Sequence, residues 1–148
     1  MPRAKQTKIN ILLNKGAKFP TRADDESIGW DLYSIDKTRI PGKGTRVIGT
    51  GVKLEMPKNW YATIEERSGF SANTSLGIKA GVIDSGYRGE VKIIIQNISD
   101  FPYDIEEGDK IAQMIFHKED PVTLISSEEF KEPETQRGEK GFGSSGSK

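Results

Sequence analysis

The run Gly81-Val82-Ile83-Asp84-Ser85-Gly86-Tyr87-Arg88-Gly89-Glu90, continued by Val91-Lys92-Ile93-Ile94-Ile95, decides how the chain is read. An apolar segment stops at a carboxylate, turns through Ser85-Gly86 and resumes as a second apolar segment. Two strand-like runs joined by a glycine-containing turn predict a β-hairpin. Turn chemistry alone accounts for Asp-Ser-Gly. The bend also carries Asp84, Tyr87 and Arg88 within five residues, a carboxylate, an aromatic ring and a cation that together suit a small polar ligand. Arg88 is read as structural.

Outward from this stretch the pattern repeats. Ile9 to Leu13, Ile28 to Ser34, Thr45 to Leu54, Trp60 to Ile64, Ile111 to Phe116 and Val122 to Ile125 read as strands. Turn signals at Ile40-Pro41-Gly42-Lys43-Gly44, Met56-Pro57-Lys58-Asn59 and Glu107-Gly108-Asp109-Lys110 separate them. Strands at this spacing predict an all-β sandwich or barrel. Only Arg67 to Ser75 resists, being small and polar enough for one helical turn. From Ser126 the composition shifts to Glu, Lys, Pro, Gly and Ser, which reads as a disordered tail. The expected division is a β domain over residues 1–126 and a C-terminal arm over residues 127–148.

Composition narrows the function. The 148 residues hold 22 Lys plus Arg and 22 Asp plus Glu, so no overall field draws a nucleic acid polymer. The absence of cysteine excludes disulfides and thiolate chemistry. The one histidine, His117, sits among Lys118, Glu119 and Asp120 and reads as solvated. No apolar run approaches the roughly 20 residues of a membrane span. With no signal peptide recognisable, a soluble cytoplasmic protein is expected.

Several stretches share one chemistry. Arg67-Ser68-Gly69 offers a guanidinium, a hydroxyl and an unobstructed amide, a minimal phosphate cradle. Arg137 with Gly143-Ser144-Ser145-Gly146 repeats that formula around Phe142, which could stack on a flat ring as a flexible end closes. Gln113, polar within an apolar strand, is expected to face a pocket. Asp31 and Asp84 would suit a hard cation such as Mg²⁺ or the activation of a water. The Gly141 to Gly146 match to G-x-G-x-x-G has too few residues after it for the helix that this fingerprint needs. Together these features outline a nucleoside polyphosphate hydrolase.

Five segments in order resemble the motifs of the trimeric deoxyuridine triphosphate nucleotidohydrolases (dUTPases). They are Ile28 to Ser34, Arg67-Ser68-Gly69, Gly81 to Glu90, Gly108 to Gln113, and Arg137-Gly138 with Gly141 to Gly146. The resemblance implies a jelly-roll-like β-barrel and a homotrimer with sites at subunit interfaces, over which the arm crosses to a neighbour. It implies Mg²⁺-assisted hydrolysis of dUTP to dUMP and pyrophosphate, limiting uracil in DNA and supplying dUMP for dTMP synthesis.

By the same resemblance, Asp84 activates the water that attacks the α-phosphorus. Backbone groups of Gly81, Val82 and Ile83 read the uracil edge, and Tyr87 packs under the deoxyribose and excludes a 2′-hydroxyl. A cytosine in place of uracil would leave polar groups unpaired, at about 2–4 kcal/mol per mismatch. Arg67, Ser68, Gly69 and Gln113 are implied phosphate contacts, and Lys92 a further substrate contact. Asp31 is implied in the outer shell of Mg²⁺, through water. Arg137 reaches the terminal phosphate, Phe142 closes over the base, and Gly143, Ser144 and Ser145 complete the arm's contacts. The chain departs from the family pattern with Ile28, Trp30, Ser145 and, where relatives carry a pocket asparagine, Ile78. A dCTP deaminase on the same barrel would need a glutamate as acid/base, for which Glu90 is the candidate. A catalytically silent binding module is the third reading.

Overall fold

Strict alternation sets the architecture: Glu90–Asn97 buries every second residue, Val91, Ile93, Ile95 and Asn97. A strand of that pattern needs one face against a core. The computed structural model describes residues 5–143. Its strands are β1 (Asn10–Leu13), β2 (Trp30–Tyr33), β3 (Thr38–Ile40), β4 (Thr45–Glu55) and β5 (Trp60–Glu65). After one helix, α1 (Ser68–Asn73), come β6 (Leu76–Lys79), β7 (Val82–Ile83), β8 (Glu90–Asn97), β9 (Tyr103–Ile105) and β10 (Lys110–Lys118).

Two four-stranded antiparallel sheets form, β1-β4-β8-β6 and β2-β10-β5-β7, with β3-β9 as a small third. Leu32, Ile64, Ile111 and Met114 from one sheet meet Ile48, Val52, Ile93 and Ile95 from the other in a single buried core. This is the all-β, jelly-roll-like barrel expected. No helix among the described residues is long and apolar enough to cross a membrane.

The hairpin expected around Ser85-Gly86 is not one. Its turn is present, closed by the Tyr87 N–H on the Asp84 carbonyl at 3.1 Å. The flanking runs, however, lie in different sheets: β7 pairs with β5, whereas β8 pairs with β4 and β6. The partner that β8 takes on this side is β6, up to Lys79 opposite Ile94. There the two arms part. Ala80 adopts a left-handed conformation (φ 58°) and Gly81 delivers its carbonyl to the Ile64 N–H at 2.7 Å. A Cβ on Gly81 would lie 2.7 Å from the Ile64 carbonyl oxygen, so β5 and the kink approach this closely only because residue 81 has no side chain.

Two further expectations fail. Val122 to Ile125 forms no strand; Val122, Leu124 and Ile125 are 81%, 94% and 84% exposed. Its β-branched composition satisfies a strand's preferences, but a strand also needs a neighbouring ladder, and none of this chain's described edges supplies one. His117 is half-buried and engaged rather than free in solvent: it stacks on Tyr61 at 4.8 Å between centroids, and its Nε2 meets the Thr63 hydroxyl at 2.8 Å.

Glu66 fastens α1 to the barrel. Its carboxylate accepts from the Ser71 hydroxyl at 2.6 Å and from the Ile78 N–H at 2.9 Å. The Ser71 hydroxyl first, then the Ile78 amide, hold its pKa below the ordinary 4.5. A depressed carboxylate pKa contributes stability that is fully present above the unfolded value and is lost as pH falls through the folded one. The difference in urea midpoint between the unaltered chain and Glu66→Gln will therefore stay constant above about pH 4.5 and shrink below it. Gly81→Ala, forced against the Ile64 carbonyl, will lose about 1–3 kcal/mol in the same urea titration with an unchanged slope.

Candidate functional site

The parting of β7 from β8 opens a slot between them. One part, about 120 Å³, is walled by Gly81, Val82 and Ile83 on one arm and Lys92, Ile93 and Ile94 on the other, with Ile64 and Ile78 behind. Its mouth, about 220 Å³, adds Asp84, Tyr87, Glu90 and Val47. From Glu90 to Ile93 β8 is laddered on its β4 side only, and β7 is laddered on its β5 side only. Apolar side chains thus line the slot, and two strand edges bring backbone donors and acceptors to it. A flat ring with polar groups on one edge is the ligand such walls fit.

The loop at the mouth is fixed by its own contacts. Tyr87 lies against Gly89, where a Cβ would come 2.5 Å from the phenolic oxygen. Its hydroxyl donates to the Glu90 carbonyl at 2.8 Å. Arg88 donates to the Ser85 carbonyl at 2.7 Å and so braces the bend, the structural part expected of it. Asp84 is exposed, and its carboxylate carries no hydrogen bond or ion pair among the described residues. Glu90 is committed elsewhere: its Oε1 accepts from the Gly51 N–H at 2.8 Å, where β4 bulges between Gly49 and Val52.

A second cluster gathers at the other end of the β2-β10-β5-β7 sheet. Asp31 on β2 stands opposite Gln113 on β10, and Gln113 opposite Glu65 on β5. Arg67, the residue preceding α1, places its Nε 3.0 Å from Asp31 Oδ1; Lys110 places its Nζ 3.2 Å from Oδ2. The Asp31 side chain is only 13% exposed. Gln113 donates to the Glu66 carbonyl at 2.8 Å, and Glu66 in turn holds Ser71, so the start of α1 is pinned from two sides. Ser68 and Gly69 begin that helix and are exposed.

Among the described residues no three His, Cys, Asp or Glu side chains converge as a metal site. A cation held mainly by protein ligands does not fit this donor set. A Mg²⁺ carried by phosphate oxygens and waters does, with Asp31 able to accept from one such water.

The sequence-predicted residues therefore fall into three groups. Gly81, Val82, Ile83, Asp84, Tyr87 and Lys92 share the slot. Asp31, Arg67 and Gln113 share the cationic cluster, with Ser68 and Gly69 beside them. Arg137, Phe142 and Gly143 lie on the arm; Arg137 donates to its own Lys140 carbonyl at 2.9 Å, and Phe142 is fully exposed. Ser144 and Ser145 lie outside the described residues. Sequence reading missed Lys110 as an Asp31 partner, Glu66 as the anchor of α1, and Val47 in the slot's mouth.

The first two groups are far apart. Asp31 and β7 are separated by three strand spacings, and Glu65 and Ala62 place their rows three residues apart. At ~4.8 Å per strand and ~3.3 Å per residue, Asp31 and Asp84 of one chain are on the order of 15–20 Å apart.

Comparison with known proteins gives the family. The dUTPase family model matches residues 15–146. The deoxyuridine 5'-triphosphate nucleotidohydrolase of Candida albicans is 38% identical over 141 residues, which cover 94% of this chain and 87% of that protein. Its counterpart in Clostridium tetani is 41% identical over 139 residues, covering 91% and 93%. A solved dUTPase of Staphylococcus bacteriophage 80alpha with dUpNHpp is similar at a TM-score of 0.89 and 30% identity, over 95% of this chain and 99% of that one. A mutant dUTPase of phage phi11 of S. aureus, described as revealing the coordination of a structural Mg(II) ion, is similar at 0.79 and 28% identity, over 84% and 99%. The chain belongs to the dUTPase family, the dUTP diphosphatases.

Proposed function

We propose that this chain hydrolyses dUTP to dUMP and pyrophosphate, with Asp84 activating the attacking water. The observation that carries the reading is the open slot between β7 and β8, with an unengaged carboxylate at its mouth. Uracil enters edge-first against the two strand edges, and backbone groups of Gly81, Val82 and Ile83 pair with its N–H and carbonyls. The isoleucines stack against its faces. Cytosine reverses one donor–acceptor pair and leaves buried polar groups unsatisfied. Tyr87, held rigid over Gly89, supports the deoxyribose and leaves no room for a 2′-hydroxyl. Lys92 adds a cation on the slot's wall.

Asp84 then sits beside the α-phosphate, where its carboxylate accepts a proton from a water and directs the oxygen at phosphorus. Pyrophosphate departs from the opposite side. Arg67, Ser68, Gly69 and Gln113 hold the phosphate chain in line. Asp31 would hold a Mg²⁺ that accompanies the triphosphate through a water, and that ion would supply charge neutralisation at the departing oxygens.

The roughly 15–20 Å between Asp31 and Asp84 of one chain exceeds what one triphosphate spans. In this reading Asp84 of one copy therefore works with Arg67 of another, and the assembly is a homotrimer. The exposed Val122, Leu124 and Ile125 belong to that assembly, as the start of an arm that crosses to a neighbour's site. There Arg137 reaches the terminal phosphate and Phe142 covers the base, with Gly143 beside them. The reaction limits uracil in DNA and supplies dUMP for dTMP synthesis. Support comes from relatives named for this activity and from a similar structure holding dUpNHpp. The deaminase reading loses support because Glu90 already holds the β4 bulge.

Pyrophosphate release from a panel of dUTP, dCTP, dTTP and UTP with Mg²⁺ tests the proposal. The expected result is turnover of dUTP above all others, and loss of at least about 100-fold in kcat for Asp84→Asn with little change in KM. Ammonia from dCTP, or equal rates in both proteins, would overturn it.

A further inference from the structure

Lys110 reaches Asp31 against the expected order of its strand. Counting back from Gln113, which shares a face with Asp31, strict alternation would put Ile111 on that face and turn Lys110 to the core. The register instead shifts between Lys110 and Ala112, so that Lys110 stands opposite Tyr33. Ile111 becomes fully buried, and the Lys110 ammonium lies 3.2 Å from Asp31 Oδ2. A bulge that re-aims one side chain beside a site is a device that strands use to place a functional group.

Both oxygens of Asp31 are then held by cations from different elements, Arg67 on Oδ1 and Lys110 on Oδ2. The carboxylate is 13% exposed, whereas the side chains of Arg67 and Lys110 are 31% and 43% exposed. If Arg67 were its sole cation, moving that guanidinium to a phosphate would leave a sheltered charge uncompensated, which is costly. With Lys110 in place the carboxylate stays paired when Arg67 leaves. We infer that Lys110 is a positioning residue, holding one oxygen of Asp31 so that the Arg67 guanidinium can pass from Asp31 to a triphosphate. This rests on the dUTP reading of the site.

Binding of dUpNHpp and of dUMP, measured by calorimetry in EDTA, tests the inference without turnover or metal. In Lys110→Met the dUpNHpp affinity should fall about tenfold, the scale of coupling within one ion-pair network, while dUMP affinity stays within about twofold. Lys110→Arg should keep the affinity of the unaltered chain. In an Asp31→Asn background, where Arg67 has no carboxylate to leave, adding Lys110→Met should cost little. An undiminished loss in that background would mean that Lys110 touches phosphate directly, and equal loss of dUMP would mean general distortion; either overturns the inference. Failure of the unaltered chain to bind dUpNHpp would overturn the dUTP reading, and this inference with it.

Discussion

A single backbone hydrogen bond, from the Ile64 N–H to the Gly81 carbonyl at 2.7 Å, marks where the chain leaves one sheet for the other. Had residues 80–83 continued beside β8, the two strand edges would have satisfied each other and no slot would exist. Instead β5 takes β7, and the cost of the left-handed Ala80 and the side-chain-free Gly81 is borne in the kink between them. Every polar group that the slot offers to a planar ring is exposed by that parting. The parting of β7 from β8 is thus a fold-level feature that leaves two strand edges open.

The same sheet explains why the Asp31–Arg67 cluster stands elsewhere. Strand order β2-β10-β5-β7 puts Asp31 at one edge and Asp84 beyond the other. Glu66 and Gln113 fix the start of α1 between them, and Arg67 projects toward Asp31. On the proposed reading, association of identical chains brings the two halves together without any part of the barrel having to move.

Much of this was legible in the sequence because strand and turn signals are local. Val91, Ile93 and Ile95 announce a half-buried strand by alternation, and Ser85-Gly86 announces a turn by composition. What local signals do not carry is the partner. Val82 and Ile83 read as the first arm of a hairpin, yet their ladder is made with Ala62 and Thr63. Val122 to Ile125 reads as a strand for the same reason and makes no ladder among the described residues. Asp84, Arg67 and Gln113 could be singled out by residue type and by resemblance to a family. The Lys110–Asp31 and Glu66–Ile78 contacts could not, since they depend on a register shift and on which strands become neighbours.

The central claim is that each catalytic centre is divided between two copies of the chain. Its direct measurement is dUTP turnover after Asp84→Asn and Arg67→Ala chains, each inactive alone, are unfolded together and refolded in equal amounts. A divided site predicts recovery, to roughly a quarter of the unaltered activity for random mixing in a closed symmetric trimer, because that share of sites draws Asp84 and Arg67 from intact neighbours. No recovery, in mixed trimers shown to have formed, would place both groups in one chain's site and contradict the account.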